Sequence, residues 1–180
     1  MNKKLTAGMK APNFSFTTLS GQSLDFYKTS RGKKAVLFFL RYAGCPICQM
    51  KMGEIMRDYD RLRAAGLEVY VVLQSSPASV KEALAGVAPP FTIVCDPREK
   101  IFSLYGVPPG NLFQYLAPSV IMKAIKASRR GFRHGKKEGQ ELQLPAVFIV
   151  SPGEAVTFAY YGRNIGDVPD NDVILNAARA

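Results

Sequence analysis

The run "AVLFFLRYAGCPICQM", residues 35–50, decides how the rest of the chain is read. Its first half is the most apolar stretch of the sequence and suits a strand buried on both faces. Its second half places Cys45 and Cys48 three apart with Pro46 between them, and from Pro46 onward the apolar period changes. Ile47, Met52, Ile55, Met56, Tyr59 and Leu62 recur at spacings of three to five until Gly66, the pattern of an amphipathic helix. Cys45 therefore stands at a strand-to-helix boundary, where unpaired amide N–H groups and the positive end of the helix dipole stabilise a thiolate. Pro46 at the first helical position gives up only an N–H that has no partner there. Cys48 lies one turn on, at a Cβ separation of about 5–6 Å on the same face, within local adjustment of disulfide distance.

Outward from this run the chain alternates. "NFSFTTLSGQSLDFY" around Ser20 and Gly21 reads as a hairpin. The strand expected at about 35–41 and its helix are followed by strand "LEVYVVLQ", helix "PASVKEALAGV", strand "FTIVCDP" and a short helix "KIFSLYGV". After an interruption at about 108–144 come the strands "PAVFIV" and "AVTFAYY" and a last helix "NDVILNAARA". This order predicts an α/β fold with helices on both faces of the sheet. The interruption is too long for a plain loop in a compact domain. Leu112, Phe113, Leu116, Val120, Ile121 and Ile125 give it helical spacing, and Lys123, Lys126, Arg129, Arg130 and Arg133 make its later half basic. A helical insertion is expected, with Leu112, Phe113, Leu116 and Ile121 narrowing access to Cys45.

The 180 residues suit one domain spanning 1–180 that folds without a disulfide framework or metal. No apolar run approaches the roughly 20 residues of a membrane span. "MNKKLTAGMKAPNF" carries lysines without the apolar segment of a secretion signal, so a cytoplasmic setting is expected. There thiols stay reduced, and a close cysteine pair reads as chemistry. The net charge of +10 is uneven: residues 1–51 hold nine basic residues and one acid, Asp25, and residues 101–137 hold seven and none. Such a surface attracts anionic partners, but no nucleic-acid recognition motif accompanies it, and no nucleic-acid partner is expected.

Other uses of the cysteines fit less well. Zinc needs two further ligands, and Cys95, the lone His134 and the acids lack ligand spacing. Covalent haem attachment wants His after the second cysteine, where Gln49 stands. Inert packing is the remaining rival to a redox-active dithiol. Arg41 ends the strand that feeds Cys45 and is either a support for the thiolate or a surface cation. Cys95 reads as a buried strand residue without a role in chemistry, and His134 as solvent-exposed.

Together these segments resemble the thioredoxin superfamily. "AVLFFLRYAGCPICQM" is similar to its strand, active-site loop and helix, and "QLPAVFIV" to the loop whose cis-proline faces the reactive cysteine. "APNFSFTTLSGQ", "VCDPREKIFSLYGV", the basic insertion and "AVFIVSPGEAVTFAYYGRNIGDVP" extend the resemblance to peroxiredoxin-like proteins of the AhpC/TSA group over nearly all of the sequence. It implies a thioredoxin-like fold: a central mixed sheet flanked by helices, an N-terminal hairpin and a helical insertion before the penultimate strand. It implies a thiol oxidoreductase that reduces peroxides through Cys45 and Cys48, with a thiol-disulfide reductase as the alternative; the basic, amphipathic insertion read by itself gives a second alternative, a non-catalytic module that binds partners through it. The resemblance also implies an external reductant of the thioredoxin type and no cofactor, with a cis bond at Pro145 and Arg163 supporting the site. The chain departs from the group at Pro-xxx-Thr/Ser-xx-Cys. Counting back from Cys48 gives Arg41 and Cys45 at the first two places, and from Cys45 gives Phe38 and Tyr42. The helix field favours Cys45 as attacker, whereas the group's register favours Cys48, and the sequence leaves both assignments open.

Overall fold

A computed structural model describes residues 3–179. Met1 and Asn2, which open the basic N-terminal stretch, and Ala180, with which the expected last helix ends, lie outside the described residues. The chain runs β1 (Ser15–Thr17), β2 (Ser23–Asp25), α1 (Phe26–Thr29), β3 (Lys34–Phe39), α2 (Pro46–Arg57), α3 (Tyr59–Ala64), β4 (Leu67–Leu73), α4 (Pro77–Leu84) and β5 (Thr92–Cys95). It continues through α5 (Lys100–Leu104), α6 (Leu112–Tyr115), α7 (Pro118–Arg129), β6 (Ala146–Val150), β7 (Val156–Tyr161) and α8 (Asn171–Arg179). The seven strands form one mixed sheet in the order β2-β1-β5-β4-β3-β6-β7. β3, β4 and β5 are parallel; β1 joins β5, and β6 joins β3, antiparallel. The fold is thioredoxin-like, with the expected hairpin at one edge and the insertion, α6 and α7, ahead of β6.

Alternation along β3 divides the core in two. Val36, Phe38 and Leu40 pack with Ile47, Ile55, Leu62, Val80 and Ile174 on one face, while Ala35, Leu37 and Phe39 pack with Phe26, Phe102 and Tyr105 on the other. The helix expected from Pro46 to Gly66 is two helices. It breaks at Asp58, whose carboxylate accepts from Asn171 Nδ2 at 2.8 Å, so α8 is tied to the break. Gly66 then ends α3 at a φ of 77°, where a side chain would be strained. Lys51, buried on α2, donates to the Pro169 carbonyl at 2.8 Å and to Asn171 Oδ1 at 3.0 Å, and burial pushes its ammonium down to about 8. These bonds anchor α2 against the C-terminal helix and fix the helix that starts at the cysteines.

Asp96, buried after β5, accepts from the amides of Lys100, Ile101 and Phe102 at 3.0, 2.8 and 3.1 Å. It satisfies the orphan donors of a short helix that Glu99, with a φ of 55° and no capping bond, does not. Asp96→Ala is expected to cost about 1–3 kcal/mol of stability, read by denaturant unfolding, because three amides, two of them buried, lose one acceptor. An unchanged midpoint would mean that water replaces the carboxylate.

Candidate active site

Four backbone and side-chain bonds hold the loop between β3 and α2. Arg41 carbonyl accepts from Gln74 N at 2.8 Å, and Ala43 N donates to Ser75 Oγ at 3.0 Å. Cys45 N donates to the Tyr42 carbonyl at 3.1 Å, and Gln49 Nε2 to the Ala43 carbonyl at 2.9 Å. The loop delivers Cys45 to the N-cap of α2 in an extended conformation, with Pro46 in the first turn, as its spacing implied. The sulfur is nearly enclosed, with Cys45 2% exposed.

Arg41 is buried rather than a surface cation, and its Nη1 donates to Cys45 Sγ at 3.5 Å. Its guanidinium carbon sits over the rings of Tyr42 and Tyr115, at 5.0 and 5.4 Å from their centres. Nε and Nη2 are buried and have no hydrogen-bond partner among the described residues. Burial works against the arginine's charge, and the sulfurs of Cys45 and Cys48 together with Tyr42 and Tyr115 outweigh it. The Cys45 thiol is lowered to about 6, first by its hydrogen bond with the Cys48 side chain and then, against burial, by Arg41 and the amides of Cys48 and Ile47. Cys48 is pushed the other way, chiefly by complete burial and then by the sulfur beside it. The surroundings thereby favour the thiolate at Cys45 and the protonated thiol at Cys48.

Above Cys45 opens a cavity of about 360 Å³. Arg41 and Cys45 form its base, with Ile47 and Ile165, and the insertion supplies the outer wall through Tyr115, Leu116, Val120, Ile121 and Ile125. The insertion thus narrows access to Cys45 through Leu116 and Ile121, as expected. Leu112 and Phe113 do otherwise: both are exposed, because the four-residue α6 turns them outward from the cavity.

The segment after α7 closes over the loop. Gly135 N donates to the Gly44 carbonyl at 2.8 Å, and a Cβ at Gly44 would lie 2.4 Å from the Lys136 carbonyl oxygen, so the contact needs glycine. His134, exposed as expected, also lines the cavity, and its Nε2 lies 3.2 Å from Tyr42 Oη. Sequence reasoning missed this role; a single histidine in a basic run carries no signal for it.

Two expected supports are corrected. Every peptide bond among the described residues is trans, including the one before Pro145. Trans is the lower-energy form by about 0.5–1 kcal/mol, and the flanking groups are held in extended pairing: Leu144 N donates to the Pro108 carbonyl and Gly162 N to the Pro145 carbonyl. Arg163 does not line the cavity. Its side chain is 87% exposed and its Nε donates to Asp167 Oδ2 at 3.2 Å, four residues on, which draws the guanidinium to the surface.

Cys95 is buried in β5, where burial and then Glu138 raise its thiol to about 11. Cys95→Ala is expected to leave oxidation rates unchanged and to cost about 1 kcal/mol of stability for the lost packing. A folded variant with reduced turnover would assign Cys95 a part in the chemistry. Among the described residues no cluster of three His, Cys, Asp or Glu side chains is arranged to hold a metal ion.

Comparison with known proteins gives the same grouping. The model of the AhpC/TSA family matches residues 7–159. Peroxiredoxin Q, chloroplastic, of Oryza sativa subsp. japonica is 29% identical over 105 residues, covering 58% of this chain and 48% of that one. The chain spans about half the length of the chloroplastic relatives it matches. Prostamide/prostaglandin F synthase of Salmo salar is 28% identical over 167 residues, covering 87% of this chain and 80% of its own. Among solved structures, peroxidoxin BcpB of Mycobacterium tuberculosis superposes with a TM-score of 0.70 over 96% of each chain at 11% identity, a likeness of fold.

Proposed function

The chain belongs to the AhpC/TSA family of the thioredoxin superfamily, and from that premise we propose that it is a thiol peroxidase working through Cys45 and Cys48. The observation that carries the reading is the base of the cavity. A thiol lowered towards a thiolate touches a buried arginine whose two remaining donors face no protein acceptor.

The Cys45 thiolate attacks the outer oxygen of a hydroperoxide, ROOH. The O–O bond breaks, sulfur takes the hydroxyl as a sulfenic acid, and the RO⁻ fragment leaves and is protonated by solvent at the cavity mouth. Nε and Nη2 of Arg41 supply the donors that stabilise the departing oxygen, in a site already shielded from water. The Cys48 sulfur then attacks the Cys45 sulfur, its proton leaving with the hydroxide as water, and a disulfide remains. An external dithiol returns both cysteines to the reduced state. The apolar walls of the cavity support an organic rather than a hydrogen peroxide substrate. A protein disulfide meets an obstacle, because Cys45 lies behind the insertion.

The direct test offers the reduced protein cumene hydroperoxide and, separately, oxidised insulin, and follows the loss of free thiols. Faster oxidation by the hydroperoxide is expected. Faster oxidation by insulin reverses the reading in favour of a thiol-disulfide reductase, and inertness towards both leaves the partner-binding reading.

A further inference from the structure

The chemistry at Cys45 leaves the outer face of the insertion unused. Phe113 on α6 and Met122 on α7 are 88% and 72% exposed, and Leu112 and Ile125 are exposed as well. A concavity of about 750 Å³ runs along α7 between Met122, Ile125, Lys126 and Arg129. Ile125 also lines the Cys45 cavity, so the two spaces share a wall. The ion pairs among the described residues leave Lys126 and Arg129 out, and residues 101–137 contain no acid.

We propose that this α6–α7 face docks on an anionic lipid bilayer and seats the mouth of the Cys45 cavity at its surface. Protruding apolar side chains beside unpaired cations suit the boundary between acyl chains and anionic headgroups. No helix among the described residues is long and apolar enough to cross a membrane, so the contact is with the surface. A second copy of the chain is a poorer occupant, since a two-fold contact would set Lys126 and Arg129 against themselves. An acidic protein satisfies the charge but cannot follow the apolar wall inward, because Cys45 is 2% exposed behind it. An acyl chain is slender enough to do so. Delivery of acyl hydroperoxides to Cys45 would follow; that consequence, and the preference for a lipid over an acidic protein, rest on the peroxidase reading.

The test is co-sedimentation with vesicles of phosphatidylcholine alone and with about one-third phosphatidylglycerol. Wild-type protein is expected to sediment with the anionic vesicles only, and added salt to release it. Phe113→Glu/Met122→Glu and Lys126→Glu/Arg129→Glu are each expected to weaken the partition about tenfold or more, with unchanged circular dichroism. These are surface positions, so folding is retained. Absence of sedimentation, partition indifferent to both variants, binding to polyglutamate but not to vesicles, or a dimer in gel filtration that Phe113→Glu/Met122→Glu splits would each overturn the proposal. Failure to bind vesicles with Cys45 still oxidised by cumene hydroperoxide defeats the docking alone. Vesicle binding without oxidation supports the docking and defeats the peroxidase reading.

Discussion

Cys45→Ser is expected to slow oxidation by cumene hydroperoxide by at least about three orders of magnitude, the scale on which loss of a nucleophile is felt. A serine hydroxyl at this position stays protonated at neutral pH, whereas the cysteine is lowered to about 6 and is mainly thiolate. The substitution isolates chemistry from folding, because serine is a favoured helix N-cap and Cys45 caps α2 without a side-chain hydrogen bond. Thermal unfolding should therefore be unchanged or shifted upward. Cys48→Ser keeps the attacking sulfur and should keep the first oxidation within about tenfold of wild type, ending at a sulfenic acid in place of a disulfide. If Cys45→Ser reacts at the wild-type rate and Cys48→Ser does not, the roles are exchanged and the register of the family's motif applies.

Arg41→Met is expected to reduce the rate at neutral pH by about 10²–10³-fold, the cost of losing a preorganised donor at a developing charge. Two effects contribute, and pH separates them. Arg41 lowers the Cys45 thiol, so its removal moves the midpoint of thiolate formation upward from about 6. Below its midpoint the thiol is protonated and the rate falls tenfold per pH unit; above it the rate is level. Wild-type alkylation by iodoacetamide should thus level off near neutrality, and that of the variant only at higher pH. A rate deficit that persists on the variant's plateau with hydroperoxide, but not with iodoacetamide, isolates the two free donors. Because Cys45 loses its cationic partner, stability is compared below the variant's thiol midpoint, where the sulfur is neutral and no buried charge is left unpaired. An unmoved midpoint would deny Arg41 its influence on the sulfur.

The parts of this site that were legible in the sequence are those that local patterns determine. The alternation of β3, the change of period at Pro46 and the spacing of Cys45 and Cys48 place a thiol at a helix start without knowledge of the fold. The insertion was legible as helix but its inward side was not, since of Leu112, Phe113, Leu116 and Ile121 only Leu116 and Ile121 line the cavity. Contacts made at long range were not legible either. Tyr115 meets the Arg41 guanidinium across 74 positions of sequence, and His134 meets Tyr42 across 92, through the closure of the segment after α7. Nothing in either segment alone announces these meetings. Arg163 was misread because its partner, Asp167, competes locally for the guanidinium. The break at Asp58 escaped notice because the apolar spacing continues through it; Asn171, from α8, holds its carboxylate.

The most direct measurement of the central claim is to oxidise the reduced protein with one equivalent of cumene hydroperoxide and map its cysteines by mass spectrometry, with dimedone as the sulfenic acid trap. The wild-type protein should lose two hydrogen atoms and carry a Cys45–Cys48 disulfide with Cys95 free, and Cys48→Ser should carry dimedone on Cys45. Dimedone on Cys48 in Cys45→Ser at the wild-type rate, or a wild-type protein that remains fully reduced, would contradict it.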